Sequence, residues 1–179
     1  NVAALVGHGT MRTGAMGGAS EKRAPGEDEF AQMRAWLAEG LEGGAVGVST
    51  GLIYEPGRYT ETEELIELAK ECGRLGGLYA SHIRGEGPTL LDSVAEAIRI
   101  GEEAGCAVQI SHHKATGEAN WGRVTESLAL ISEARSRGLD VTVDQYPYIA
   151  SSTGLAAIAM NAREGTGNAM TGEGIFIAS

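Results

Sequence analysis

The sequence predicts an α/β protein, a partial (β/α)8 TIM-like barrel of about five parallel strands and four helices. Three observations carry this. Short apolar runs alternate with segments of helical period along the chain. After the second run the unit recurs roughly every 30 residues, room enough for a crossover helix, which makes neighbouring strands parallel. Residues that carry chemistry, His82, His112 and Asp144, stand at the carboxyl ends of apolar runs, where a barrel gathers its function.

The strands are expected at VAALVGH (2–8), AVGVST (45–50), GLYASH (77–82), AVQISH (107–112) and DVTVDQY (140–146). Each is rich in small or β-branched residues and lacks helical period. Between them, Phe30, Met33, Leu37 and Leu41 follow the spacing of a helix face. Leu65, Leu68, Ala69, Cys72 and Leu75 do the same. So do Leu90, Leu91, Val94, Ile98 and Gly101, and then Val124, Leu128, Ile131 and Ala134. Thr60 with Glu63 reads as a capping box, and Pro88 sits where a first helical residue belongs. Gly76, Gly105 and Gly138 mark helix stops. An open doubly wound sheet is the alternative, and it calls for a GxGxxG loop after an early strand. GTMRTGAMGG (9–18) is glycine-rich but lacks that spacing and opens no obvious helix. Five strands make about the middle of a barrel. Residues 1–155 are read as the central part of that barrel domain, and 156–179 as an irregular tail, either the start of a lid insertion or non-native sequence.

Side chains alternate along a strand. With Leu78, Ala80, Val108 and Ile110 facing the barrel interior, His82 and His112 face inward too. Strands about 4.8 Å apart let two such imidazoles share one ion. One histidine is more often structural; two, each preceded by serine at matched strand ends, are harder to explain that way. His113 has the opposite parity and is expected to pack outward or to support a ligand, and His8 to make a turn hydrogen bond. Lys114, beside the metal position, suits a substrate carboxylate. Arg84 stands similarly after His82, with a loop-stiffening Arg84–Glu86 pair as the competing reading. Tyr54, Tyr146 and Tyr148 either donate phenol hydrogen bonds or are core aromatics. Asp144 is a ligand, a general base or an orienter of a histidine.

The chain has 179 residues, 42% of them hydrophobic, enough for a core, and a net charge of −10. That charge argues against a nucleic-acid partner, which needs a basic face. No run approaches the ~20 apolar residues of a membrane span. The sequence opens at Asn1 without a charged-then-apolar leader, and an upstream targeting signal stays open. Cys72 and Cys106 form neither a disulfide framework nor a CxxC site, which points to a reducing cytoplasm.

TGLIYEPGRY, GLYASHIRGEG, QISHHKATGEANWG and DVTVDQYPYIASST together resemble the N-acyl-D-amino-acid deacylases (D-aminoacylases) of the amidohydrolase superfamily, from about residue 1 to about 155. The resemblance implies hydrolysis of the amide of a small N-acyl-D-amino acid to a carboxylate and the free D-amino acid. It implies one or two Zn2+ ions, with His82 and His112 among the ligands. It places Lys114 on the substrate α-carboxylate, lined by Tyr54 and Tyr146, with Ser151 in the polar stretch that follows. The family's amino-terminal His-x-His, bridging cysteine and general-base aspartate have no counterpart in these residues. The expectation is therefore an incomplete part of the enzyme, inactive by itself. The alternatives are an amidohydrolase of cyclic amides (dihydroorotase- or hydantoinase-like) and a non-catalytic metal-binding chain. Acyl and side-chain preference, metal number and oligomeric state stay open.

Overall fold

A computed structural model describes residues 1–18 and 21–154. The tail boundary expected at 155–156 lies outside the described residues. Among these residues five strands, β1 (Val6–Gly7), β2 (Gly47–Gly51), β3 (Leu78–His82), β4 (Val108–Ile110) and β5 (Val141–Val143), form one sheet in sequence order. Every neighbouring pair is parallel. The connections are the helices α1 (His8–Met16), α2 (Glu27–Glu42), α3 (Thr62–Arg74), α4 (Leu90–Ala104) and α5 (Val124–Ser136). This is the geometry of part of a (β/α)8 barrel, as the β-α repeat predicts.

Among the described residues one helix more is present than the four expected. α1 occupies the glycine-rich segment read as opening no helix. It forms because His8 and Arg12, one turn apart, are fully buried and both reach Glu64 on α3. His8 Nε2 lies 2.9 Å from Glu64 Oε1 and Arg12 Nε 3.2 Å from it. Arg12 also donates to the carbonyls of Glu21 and Arg23, so its buried charge is compensated. His8 thus docks a helix and makes no turn hydrogen bond. The first strand is correspondingly short, because residues 1–5 are exposed.

Register sorts the sheet into rows. Val6, Val48, Tyr79, Val108 and Val141 are side-by-side partners, and all five pack into the core under the helices. The neighbouring row, Gly7, Ser49, Ala80, Gln109 and Thr142, takes the opposite face and is small or polar. Hence Val108 and Ile110 do not face the barrel interior as expected; they pack against helices, and Gln109 faces inward. The helix side wins them because it offers the apolar partner: a Cβ built on Gly101 of α4 would stand 2.2 Å from Val108 Cγ2, so α4 lies directly on this strand.

Helix ends agree in part. Gly76, Gly105 and Gly138 have φ of 78°, 65° and 98°, the left-handed conformation that ends helices. α2 starts with Glu27, Asp28 and Glu29 at its positive pole, and Glu29 accepts the Gly26 N–H at 2.7 Å. The Thr60 capping box is not made: α3 begins at Thr62 behind Glu61, without a side-chain cap. Pro88 stands before the helix, whose N-cap is Thr89.

Candidate metal and carboxylate site

Ala80 and His82 share the inner face of β3, so alternation alone delivers the His82 ring to the mouth of the sheet. His112 arrives differently. The β4 chain stays paired through Ser111, whose N–H donates to the Ser81 carbonyl at 2.9 Å. By alternation from Ile110, His112 would then turn to the helices. It does not, because His112 adopts a left-handed backbone, φ 42°, a conformation that costs a side-chain-bearing residue roughly 1–2 kcal/mol. That turn sends His112 inward and His113 to the helix side, where His113 Nε2 lies 2.8 Å from Ser127 Oγ of α5.

Asp144 holds the turn. Its Oδ1 accepts the His112 backbone N–H at 2.7 Å, and its Oδ2 accepts Gln109 Nε2 at 2.7 Å. Thr142 in turn donates to Gln109 Oε1. Of the three roles open to Asp144, its contacts are those of an orienter. Ser81 behaves as support as well: with Thr50 and Tyr79 it closes a buried hydroxyl cluster on the helix face.

The two imidazoles meet. His82 Nδ1 lies 2.7 Å from His112 Nε2, with ring centroids 4.4 Å apart and planes at 69°. Glu86 joins them: its Oε1 is 2.9 Å from His112 Nδ1. One ligand atom from each of His82, Glu86 and His112 fits within a 4.8 Å span. His82 Nε2 is buried with no partner among the described residues. Burial, chiefly, pushes the His82 pKa down to about 4, so the ring is neutral at pH 7, the form that ligates metals. Burial by itself would raise the Glu86 carboxyl, but the hydrogen bonds from His112 and Lys114 outweigh it and hold the group below the usual carboxylate range.

Lys114 Nζ donates to Glu86 Oε1 at 2.6 Å and to the His112 carbonyl at 3.0 Å. It stands 5.6 Å from the centre of the Tyr146 ring, a cation–π contact. Tyr54 lies against His82, ring centroids 5.0 Å apart, and its hydroxyl is 2.8 Å from Thr153 Oγ1. A cleft of about 780 Å3 opens beside them, with Thr10, Ser49, Tyr54 and His82 in its wall. Ser151 and Tyr148 are exposed in the segment after β5.

Arg84 is not brought to this group. It forms an ion pair with Glu96 at 2.8 Å and donates to the carbonyls of Arg58 and Thr60. The Arg84–Glu86 pair is therefore not made; Arg84 ties the β3–α4 loop to α4 and to the loop before α3. Glu86 is the residue that sequence reasoning missed. Its signal was its place four residues after His82 in the loop facing His112, obscured by the nearer cation.

Two imidazoles, a carboxylate and an ammonium thus gather at the carboxyl mouth of a parallel β/α sheet, where barrels assemble their sites, in a set that could hold a metal ion. Comparison with known proteins shows what the chain is similar to. No family model matches the chain. N-acyl-D-glutamate deacylase of Alcaligenes xylosoxydans xylosoxydans is 46% identical over 153 residues, 86% of this chain and 31% of the relative. D-aminoacylase of the same organism is 43% identical over 153 residues, again 86% and 31%. Among solved structures, N-acyl-D-glutamate deacylase from Bordetella bronchiseptica, complexed with zinc and a phosphonate mimic of the tetrahedral intermediate, matches at a TM-score of 0.78. It is 44% identical, and the match covers 83% of this chain and 31% of that one. A crystal structure of D-aminoacylase, described as defining a novel subset of amidohydrolases, matches at 0.79 with 42% identity, covering 84% and 31%. Over the stretch it spans, the chain is a homologue of the D-aminoacylase family of amidohydrolases. It spans about 31% of the length of these relatives.

Proposed function

We propose that this chain supplies part of the metal site and the carboxylate-binding side of an N-acyl-D-amino-acid deacylase. The observation that carries the reading is the convergence of His82 and His112 at 2.7 Å, achieved through a strained backbone at His112. The donor set suits zinc, which imidazole nitrogen and carboxylate oxygen both bind. Nitrogens bound tetrahedrally at ~2.05 Å stand about 3.3 Å apart, so the rings must separate by a few tenths of an ångström to admit an ion. His82 and His112 would hold the metal. When bound, it supplies an activated water near neutral pH and polarises the acyl carbonyl.

The chain's own groups then do the orienting. Lys114 receives the substrate α-carboxylate, exchanging part of its bond to Glu86 for it. Tyr146 covers the Lys114 ammonium and Tyr54 walls the cleft beside His82, so the D-configured carbon is selected by position. Ser151, exposed in the segment after β5, is read as a further substrate contact, and Arg84 acts as a structural clamp. We read residues 1–155 as the central β/α units of the barrel, one or two zinc ions as its cofactor, and the cytoplasm as its location, the last supported by two buried free thiols.

The test is zinc content together with hydrolysis of N-acetyl-D-amino acids, alongside dihydroorotate and a hydantoin. Turnover of the D-acyl substrate, or stoichiometric zinc without turnover in this chain and with turnover once the remaining barrel units are supplied, supports the proposal. Hydrolysis of the cyclic amides alone, or zinc uptake unaffected by His82→Ala and His112→Ala, refutes it.

A further inference from the structure

We propose that Glu86 is a positioning residue: one carboxylate oxygen fixes both the tautomer of His112 and the place of the Lys114 ammonium. The inference rests on the metal-site reading above and deepens it. Glu86 Oε1 lies 2.9 Å from His112 Nδ1 and 2.6 Å from Lys114 Nζ, so a single atom couples the metal-binding ring to the carboxylate-binding cation. The geometry alone leaves two arrangements of His112, because Lys114 Nζ is also 2.9 Å from Nδ1. Nδ1 either donates to Glu86 or accepts from Lys114. Both are hydrogen bonds to a charged group, so strength alone does not choose between them; a bare Nδ1, however, would set its lone pair 2.9 Å from the Glu86 carboxylate oxygen with no hydrogen between them. Lys114 also has two other acceptors, Glu86 Oε1 and the His112 carbonyl. The proton therefore sits on Nδ1 and points at Glu86.

The consequence is chemical. With Nδ1 protonated, Nε2 carries the lone pair, and Nε2 is the atom aimed at His82. The opposite tautomer would put a proton where the metal must bind. Metal-ligating histidines ordinarily hand their other N–H to a carboxylate or carbonyl in this way. Glu86 can do so because its side chain is only 12% exposed and lies in the β3–α4 loop. That loop is pinned on both sides: Thr116 N–H donates to the Glu86 carbonyl at 2.7 Å, and Arg84 is clamped to Glu96. Although Glu86 can reach a shared ion with the two histidines, an oxygen already accepting from an imidazole N–H and an ammonium is better placed behind the ligand than on the metal.

The experiment uses the full chain and its Glu86→Gln and Glu86→Ala variants, with His82→Ala as the reference for a lost ligand. Cobalt(II) titration reads affinity and the visible bands read coordination. The 15N spectrum of the metal-free chain, labelled in histidine, reads the tautomer of His112. The expected result is a ten- to hundredfold loss of cobalt affinity in both variants with wild-type band shape, and a shift of His112 from the Nδ1–H form towards a mixture. Unchanged affinity and tautomer would overturn the proposal. So would a band change like that of His82→Ala, which would make Glu86 a ligand. If the unaltered chain bound no cobalt, the metal-site reading would fail, and the 15N spectra would still decide whether Glu86 fixes the His112 tautomer.

Discussion

At the scale of single residues, the site depends on one backbone angle. His112 holds φ at 42°, and the bond from its N–H to Asp144 Oδ1, 2.7 Å, offsets the strain. Asp144 is exposed, so water competes for that bond and its net contribution is about 1 kcal/mol. Asp144→Ala should lower stability by about that amount in denaturant melts and weaken metal binding by more than the stability loss implies, because the ring loses its aim. Asp144→Asn, which keeps an acceptor, should recover part of both. Equal metal affinity in all three proteins would mean that the turn holds itself. This layer was only half legible in the sequence. His82 follows from alternation and Lys114 from its motif. His112, and with it the outward His113, was placed on the right face by the wrong parity, since alternation carries no sign of a left-handed residue.

The secondary elements that set this geometry are the strands and the helices behind them. Val108 and Ile110 are buried at 1% and 0% exposure on the helix side of β4, leaving Gln109 to face inward and reach Asp144. The sequence read this strand inside out because apolar residues at alternate positions do not say which face is the core. In a barrel wall both faces become buried, and the choice is made by what packs there, here Gly101 of α4. Replacing Gly101 by alanine gains about 1 kcal/mol of helix propensity, but its Cβ would meet Val108 Cγ2 at 2.2 Å. Overpacking costs about 1–3 kcal/mol and Val108 is stiff at χ1, so the net change should be destabilising by about 1 kcal/mol, read as a lowered denaturation midpoint. A stabilised Gly101→Ala would show that α4 does not bear on β4 as described. α1 was missed for a related reason: its glycines lower helix propensity, and the His8–Arg12–Glu64 contacts that override them are tertiary.

At the scale of the molecule, the parallel β/α order was legible throughout, because repeat length and glycine stops are local signals. Among the described residues the sheet runs from β1 to β5 with both as edges, and its inner face carries polar or half-exposed groups such as Gln109 and Thr142. Exposed edges and an open face invite pairing with another chain. The chain by itself should therefore self-associate in sedimentation velocity, and added barrel units should suppress this. A monodisperse monomer with one sharp melting transition would contradict that expectation. The central claim, that His82 and His112 hold one ion above this sheet, is tested most directly by X-ray absorption at the zinc edge of the loaded chain. The account predicts outer-shell scattering from about two imidazoles with zinc–nitrogen distances near ~2.0–2.1 Å, falling to one imidazole in His82→Ala. A spectrum without imidazole scattering, or one that His82→Ala leaves unchanged, would contradict it.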